Sequence, residues 1–273
     1  MKHAIKAVLC YVFHVMLKLK SPLTILSSIC VLSVIAAGIV FFSVDPAKRA
    51  GADRNSEVEK IYKENNIGVE NNKSDKAGGE VKSVNNLPEI NADDHLWGDL
   101  QNPVKMIIYS DFECPFCSKF AKTVEEVKSA YDGKVVIAFR HRPLAFHSSA
   151  MLAALTSECA AEQDKFWQMH DKLFADAGEN NLSPEEFKKD AGEIGLSMEK
   201  FNQCFDSEKY KDKILDQSKA GEPAGARGTP TFFVNGEIYP GAYPFPDFKG
   251  NDGKIREGVK SIIERHLAPS PSP

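Results

Sequence analysis

Around residue 111 the apolar pattern changes period, and that change restricts the fold more than any other feature of the chain. Val104–Tyr109 (VKMIIY) is a short apolar run bounded by Pro103 and Asp111, the pattern of a buried strand. From Pro115 onward Phe116, Phe120, Val124 and Val127 recur every three or four residues until Asp132-Gly133 stops the run, so a helix follows at once. Val135–Phe139 (VVIAF) reads as a second buried strand. Strand, helix and strand in this order imply a parallel pair joined by a right-handed crossover. Cys114-Pro115-Phe116-Cys117 occupies the junction itself.

That position carries chemistry. A helix N-terminus presents free N–H groups and about half a positive charge, and both favour a thiolate over a thiol. Cys114 is therefore expected to have a depressed pKa and to be nucleophilic near neutral pH. Two intervening residues let both sulfurs share a helical turn and close a small disulfide. Exchange needs one sulfur open to attack and a second to resolve the mixed disulfide. Cys114 is read as the exposed, attacked sulfur and Cys117 as the shielded, resolving one. A CxxC is also half a zinc site, but tetrahedral zinc needs two more close ligands, and His141, His147 and His170 are scattered. No metal or organic cofactor is expected. An inert structural disulfide is the other alternative.

The remaining chain supplies the setting. The net charge of -4 over 273 residues, with no basic stripe in the soluble part, argues against nucleic acid as a partner. Residues 23–44 are uncharged over about 22 positions, enough to span the hydrocarbon core as a helix. Lys2, Lys6, Lys18 and Lys20 precede the span without an acid, whereas Asp45, Lys48, Arg49 and Asp53 follow it. The positive-inside rule leaves residues 1–22 in the cytoplasm and sends everything after residue 44 outside. The expectation is a single-pass signal anchor in the cytoplasmic membrane. Cleavage near Ala50-Gly51-Ala52, or a second span over 4–17, are the alternatives.

Residues 45–94 are rich in Asn, Lys, Glu and Gly and read as a flexible linker. The tail 268–273 (APSPSP) reads as disordered. Between them 95–267 reads as one domain. The stretch of about 148–220 is helical throughout, with Ser183-Pro184-Glu185-Glu186 as a clear helix start. Phe166, Trp167 and Phe174 are assigned to its core. Strands return at Thr231–Val234 and Glu237–Tyr239, joined by the hairpin pair Asn235-Gly236. A last amphipathic helix carries Ile255, Val259, Ile262, Ile263 and Leu267. The fold class is α/β: a thioredoxin-like order with a central helical insertion, preceded by a transmembrane helix and a linker.

The segments Asp94–Gly98, DFECPFCSKF (111–120), RHRPLAFH (140–147), ECAAEQDKFWQMHDKLF (158–174) and GTPTFFVNG (228–236) resemble the DsbA-like branch of the thioredoxin superfamily, in the same order and over nearly all of 95–267. The resemblance implies a periplasmic or cell-surface dithiol oxidase. It would act on thiols of exported client proteins and be reoxidised by a quinone-linked membrane partner. It also implies that Pro230 is cis and packs against the dithiol, leaving Thr229 to pair with an extended substrate backbone. Pro115, Phe116, Thr229 and Pro230 are the expected supporting residues. The sequence departs from the Cys-Pro-His-Cys pattern of that branch, because Phe116 has no N–H to offer a thiolate. Such a bond is worth about 1.5–3 kcal/mol, so a weaker oxidant is expected.

A buried acid often lies six residues before the first Cys in thioredoxin relatives, but Ile108 stands there. Asp111 or Glu113 can relay protons instead, although a solvated strand-end acid is the plainer reading of either. Arg140, Arg142 and His147 are assigned surface or capping roles, and the Tyr243–Pro246 loop is placed beside the dithiol. Cys159 and Cys204 either bridge each other or stay as two buried thiols; a bridge would close a loop of about 46 residues, worth roughly 4 kcal/mol by loop-closure entropy. The leading function is a monomeric, anchored dithiol oxidase. A reductase or isomerase with the same core, or a non-catalytic tethered binding module, are its rivals.

Overall fold

The computed structural model describes residues 83–268. The membrane span expected at 23–44, most of the linker and the tail at 269–273 lie outside the described residues. Among the described residues, no helix is long and apolar enough to cross a membrane.

Five strands form the central sheet: β1 (His95–Trp97), β2 (Val104–Ser110), β3 (Val135–His141), β4 (Thr231–Val234) and β5 (Glu237–Pro240), in the spatial order β1-β3-β2-β4-β5. β2 and β3 run parallel from Val104 opposite Val135 to Ser110 opposite His141, joined by α1 (Pro115–Ala130). β4 is antiparallel to β2, and β5 follows it through a hairpin turn at Asn235 and Gly236, both with positive φ as such a turn requires. Five helices intervene between β3 and β4: α2 (Ala150–Ala161), α3 (Phe166–Gly178), α4 (Pro184–Glu193), α5 (Met198–Asp206) and α6 (Lys211–Ala220). A two-stranded ribbon, β6 (Phe248–Lys249) with β7 (Ile255–Arg256), precedes α7 (Val259–Leu267).

Side chains alternate along β2 and divide the core. Met106 and Ile108 pack with Phe120, Val124 and Val127 of α1 and Ile262 and Ile263 of α7. Ile107 and Tyr109 face the other way, onto Ala224, Ala226 and Phe233. A third cluster joins Phe112 and both sulfurs of the CxxC to the interior of the helical insertion. Ser183 caps α4 as expected, its hydroxyl accepting from Glu186 N–H. Phe166 and Phe174 are core residues, and Trp167 donates its indole N–H to Leu96 O at 2.8 Å.

Several expectations change. The last residues of the segment read as linker pack on the sheet. Val84, Leu87 and Ile90 cover the Ile107–Tyr109 face, and Val84 N–H donates to Gly236 O at 3.0 Å. Their spacing is too irregular to show a period, and the polar neighbours masked it. His95–Trp97 forms an edge strand too short for pattern reading. Ile255 belongs to β7 and is exposed, so the last helix starts at Val259. The Tyr243–Pro246 loop reaches α7: Pro244 O and Phe245 O accept from Val259 and Lys260 N–H, which closes the free end of α7. Arg140 and Arg142 are buried. Arg140 forms a two-pronged pair with Asp94, at 2.7 and 2.9 Å, and donates to Pro88 O and Glu89 O. Arg142 donates to Ser218 O and Arg227 O.

Cys159 of α2 and Cys204 of α5 are joined in a disulfide and buried. Replacing both with Ala should lower unfolding free energy by about 2–4 kcal/mol, because the unfolded chain regains loop entropy. Urea denaturation of the two proteins, with the CxxC in the same redox state, measures it.

Candidate active site

Cys114 is the N-cap residue of α1, with an extended backbone, and Pro115 begins the helix. Pro is well placed there, since its missing N–H would have no intrahelical partner. Cys114 Sγ donates to the carbonyl of Thr229 at 3.4 Å. The Thr229–Pro230 peptide is cis, and Pro230 is buried. The chain thus brings Cys114, Cys117, Thr229 and Pro230 together. Both sulfurs are unbridged thiols here.

Cys114 is not exposed as expected: it is 4% accessible, against 1% for Cys117. The loop carrying Thr229 covers it. Phe116 is the exposed member of the motif, at 58%. It lies in the first turn on the outer side of α1, with Lys119 Nζ 5.5 Å from its ring centre. Its place in the apolar period did not mean burial.

The two thiols are driven apart. The side chain of Cys117 is the largest influence on Cys114. Burial opposes it, but the Thr229 side chain and the Cys117 backbone N–H assist, and Cys114 falls to about 6. The free helix amide acts in the expected direction, yet the neighbouring thiol dominates. The Thr229 hydroxyl is buried without a partner while Cys114 is a thiol, which leaves it free to serve the thiolate. Burial pushes Cys117 well above the ordinary thiol range, and the Cys114 thiolate adds to that. Cys117 lies on a small, mostly apolar hollow lined by Ile108, Phe120, Val124, Phe139 and Phe174, where a hydrogen bond from Ser110 only partly offsets the burial.

Asp111 is also buried, at 2%, and is not a solvated strand-end acid. Its Oδ1 accepts from Glu113 N–H at 2.8 Å, and its Oδ2 accepts from Leu144 N–H at 2.8 Å. His147 Nδ1 lies 2.7 Å from Oδ2. Burial works against the charged imidazole, but Asp111 outweighs it and His147 is raised, with Cys114 and Glu113 contributing. Glu113 accepts from Ser149 N–H, which ties the loop before α2 to the dithiol turn. Sequence reasoning missed this Asp111–His147 pair, since 36 residues separate the partners. The RHRPLAFH segment was the available signal.

A thiolate-prone sulfur at a helix start, beside a cis-proline loop on a β1-β3-β2-β4-β5 sheet, defines a thiol–disulfide exchange protein. Residues 91–251 match the family described as Thioredoxin. The chain belongs to that family, and its fold is that of the DsbA-like members. Among solved structures, oxidised BdbD from Bacillus subtilis is similar at a TM-score of 0.55 and 24% identity, over 68% of this chain and 98% of that one. Wolbachia pipientis alpha-DsbA1 is similar at 0.50 and 26%, over 66% and 92%. In sequence, 151 residues are 36% identical to Na(+)/H(+) antiporter NhaA 3 of Salinispora tropica, covering 55% of this chain and 23% of that protein. The chain spans about a quarter of the length of the curated relatives it matches.

Proposed function

We propose that the chain is a dithiol oxidase that introduces disulfides into exported proteins, anchored through residues 23–44 with residues 95–267 outside the cytoplasmic membrane. The observation that carries this is the split between the two sulfurs, Cys114 lowered to about 6 and Cys117 raised. In the oxidised protein a client thiolate attacks Cys114 Sγ. A client–Cys114 bond forms, the Cys114–Cys117 bond breaks, and Cys117 leaves with the electron pair and takes up a proton. A second client thiolate then attacks the client sulfur, and Cys114 departs as a stabilised thiolate. The client loses two electrons and two protons; the protein ends as the dithiol. A quinone-linked membrane partner would take the electrons onward. Thr229 and Pro230 would align the client backbone, and the exposed Phe116 would give its side chains an apolar contact.

Stabilising the thiolate stabilises the reduced form and so makes the disulfide a better oxidant. Cys114 lies below its unfolded value, so this stabilisation is complete above the unfolded thiol pKa and is lost as pH falls through about 6. A pKa of about 6 stands between about 7 for thioredoxin and about 3.5 for the strongest oxidases. The expected reduction potential therefore falls between about -270 and about -120 mV. Equilibration against glutathione buffers measures it, with Cys114→Ser as control. Alkylation of Cys114 should decline with a midpoint at about 6. A potential at or below that of thioredoxin would favour the reductase reading and refute the oxidase.

A further inference from the structure

Away from the dithiol, three potential ligands from three elements meet at one point. His95 opens β1, His141 ends β3 and Glu158 lies within α2. Glu158 Oε1 is 2.9 Å from His95 Nε2 and 3.0 Å from His141 Nε2. The three ligand atoms all lie within 4.8 Å of one another. His141 and Glu158 are fully enclosed, and His95 is mostly so. Lys213 Nζ holds the other carboxylate oxygen at 2.9 Å, which fixes Oε1 toward the histidines. Phe166 stacks on the His95 ring, with centroids 3.7 Å apart, and fixes its plane.

A simple hydrogen-bonded triad accounts for His95 but not for His141. Oε1 is close enough to His141 Nε2, yet it lies off the ring N–H axis, and that buried nitrogen makes no hydrogen bond. Leaving such a buried group unmet is unfavourable. If Nε2 instead carries its lone pair, two electron-rich atoms face each other at 3.0 Å with nothing between them. A cation inside the triangle satisfies both at once. Ligands around a tetrahedral zinc stand about 3.3 Å apart for bonds of about 2.0–2.1 Å, so the observed 2.9 and 3.0 Å need to open by only a few tenths. Two imidazole nitrogens and one carboxylate suit zinc and its borderline neighbours; calcium and magnesium require oxygen ligands.

We propose that His95, His141 and Glu158 bind one zinc-class divalent cation that clamps the edge strand β1 and the end of β3 to helix α2 of the insertion.

The test uses the full chain, metal-free, in a Cys10→Ser/Cys30→Ser background and with Cys114–Cys117 oxidised, so that no thiol competes for metal. Zinc(II) is titrated by calorimetry and cobalt(II) by its visible absorption. The expected result is one equivalent bound, nitrogen–oxygen coordination in the cobalt spectrum, and a raised thermal midpoint. His95→Asn should weaken zinc by at least about 100-fold. Removing this ring also costs its stacking on Phe166 and its bond to Glu158, so ligand loss is separated from misfolding by the zinc-induced rise of the midpoint, which should vanish in the folded variant while its metal-free transition stays cooperative. Glu158→Gln should lose binding as well. No saturable zinc uptake, uptake unchanged in His95→Asn, or a preference for calcium would each overturn the proposal.

Discussion

In a Cys117→Ser chain, client proteins should accumulate on Cys114 as stable mixed disulfides, and turnover should drop by at least about a thousandfold, because the resolving thiol is missing while the attacking one remains. The proposed division of labour rests on the surroundings of the two sulfurs. Cys114 stands at the mouth of the helix, touching Thr229 O, with a pKa of about 6. Cys117 is enclosed by apolar side chains and raised. Only the first can meet a macromolecular thiol. Cys114→Ser should therefore trap nothing at all. Non-reducing gels read both outcomes when each chain is first converted to the mixed disulfide with a small thiol and then exposed to an unfolded, reduced client, whose thiolate displaces that small thiol from Cys114. Trapping by Cys114→Ser instead of Cys117→Ser would reverse the assignment.

The largest stability effect is expected at Arg140, well away from the sulfurs. Its guanidinium is buried against Asp94 and also serves two backbone carbonyls and the Tyr109 hydroxyl. Arg140→Met leaves the Asp94 carboxylate enclosed without its partner, which should cost about 3–5 kcal/mol. Adding Asp94→Leu should recover part of the loss, because the uncompensated charge disappears with it. Denaturant midpoints of the single and double variants measure both steps. A single variant within about 1 kcal/mol of the parent would mean that the 88–94 segment is anchored mainly by its apolar contacts.

Long, strongly periodic elements were legible before the fold was seen. The β2 run, the α1 spacing from Phe120 to Val127 and the Ser183 cap each follow from local rules that leave a mark in the sequence. What was not legible rests on pairs distant in the chain. Arg140 meets Asp94 across 46 residues, and His147 meets Asp111 across 36. A charged residue reads as surface until its partner is known. Cys114 was misplaced for the same reason: its cover comes from Thr229, 115 residues away. Phe116 failed in the opposite sense, since periodicity identifies one side of a helix but not whether the first turn has anything to pack on.

The bridge between Cys159 and Cys204 has a bearing on electron flow. It is sealed inside the insertion, so a client thiol that reaches Cys114 has no path to it. In the proposed cycle, Cys114 and Cys117 are recharged and discharged repeatedly while Cys159 and Cys204 hold their oxidation state for as long as the chain stays folded. Among the described residues, reducing power mild enough to leave the fold intact would then act on the CxxC alone, and the proposed oxidase would give up its oxidising equivalent without losing the staple between its helices.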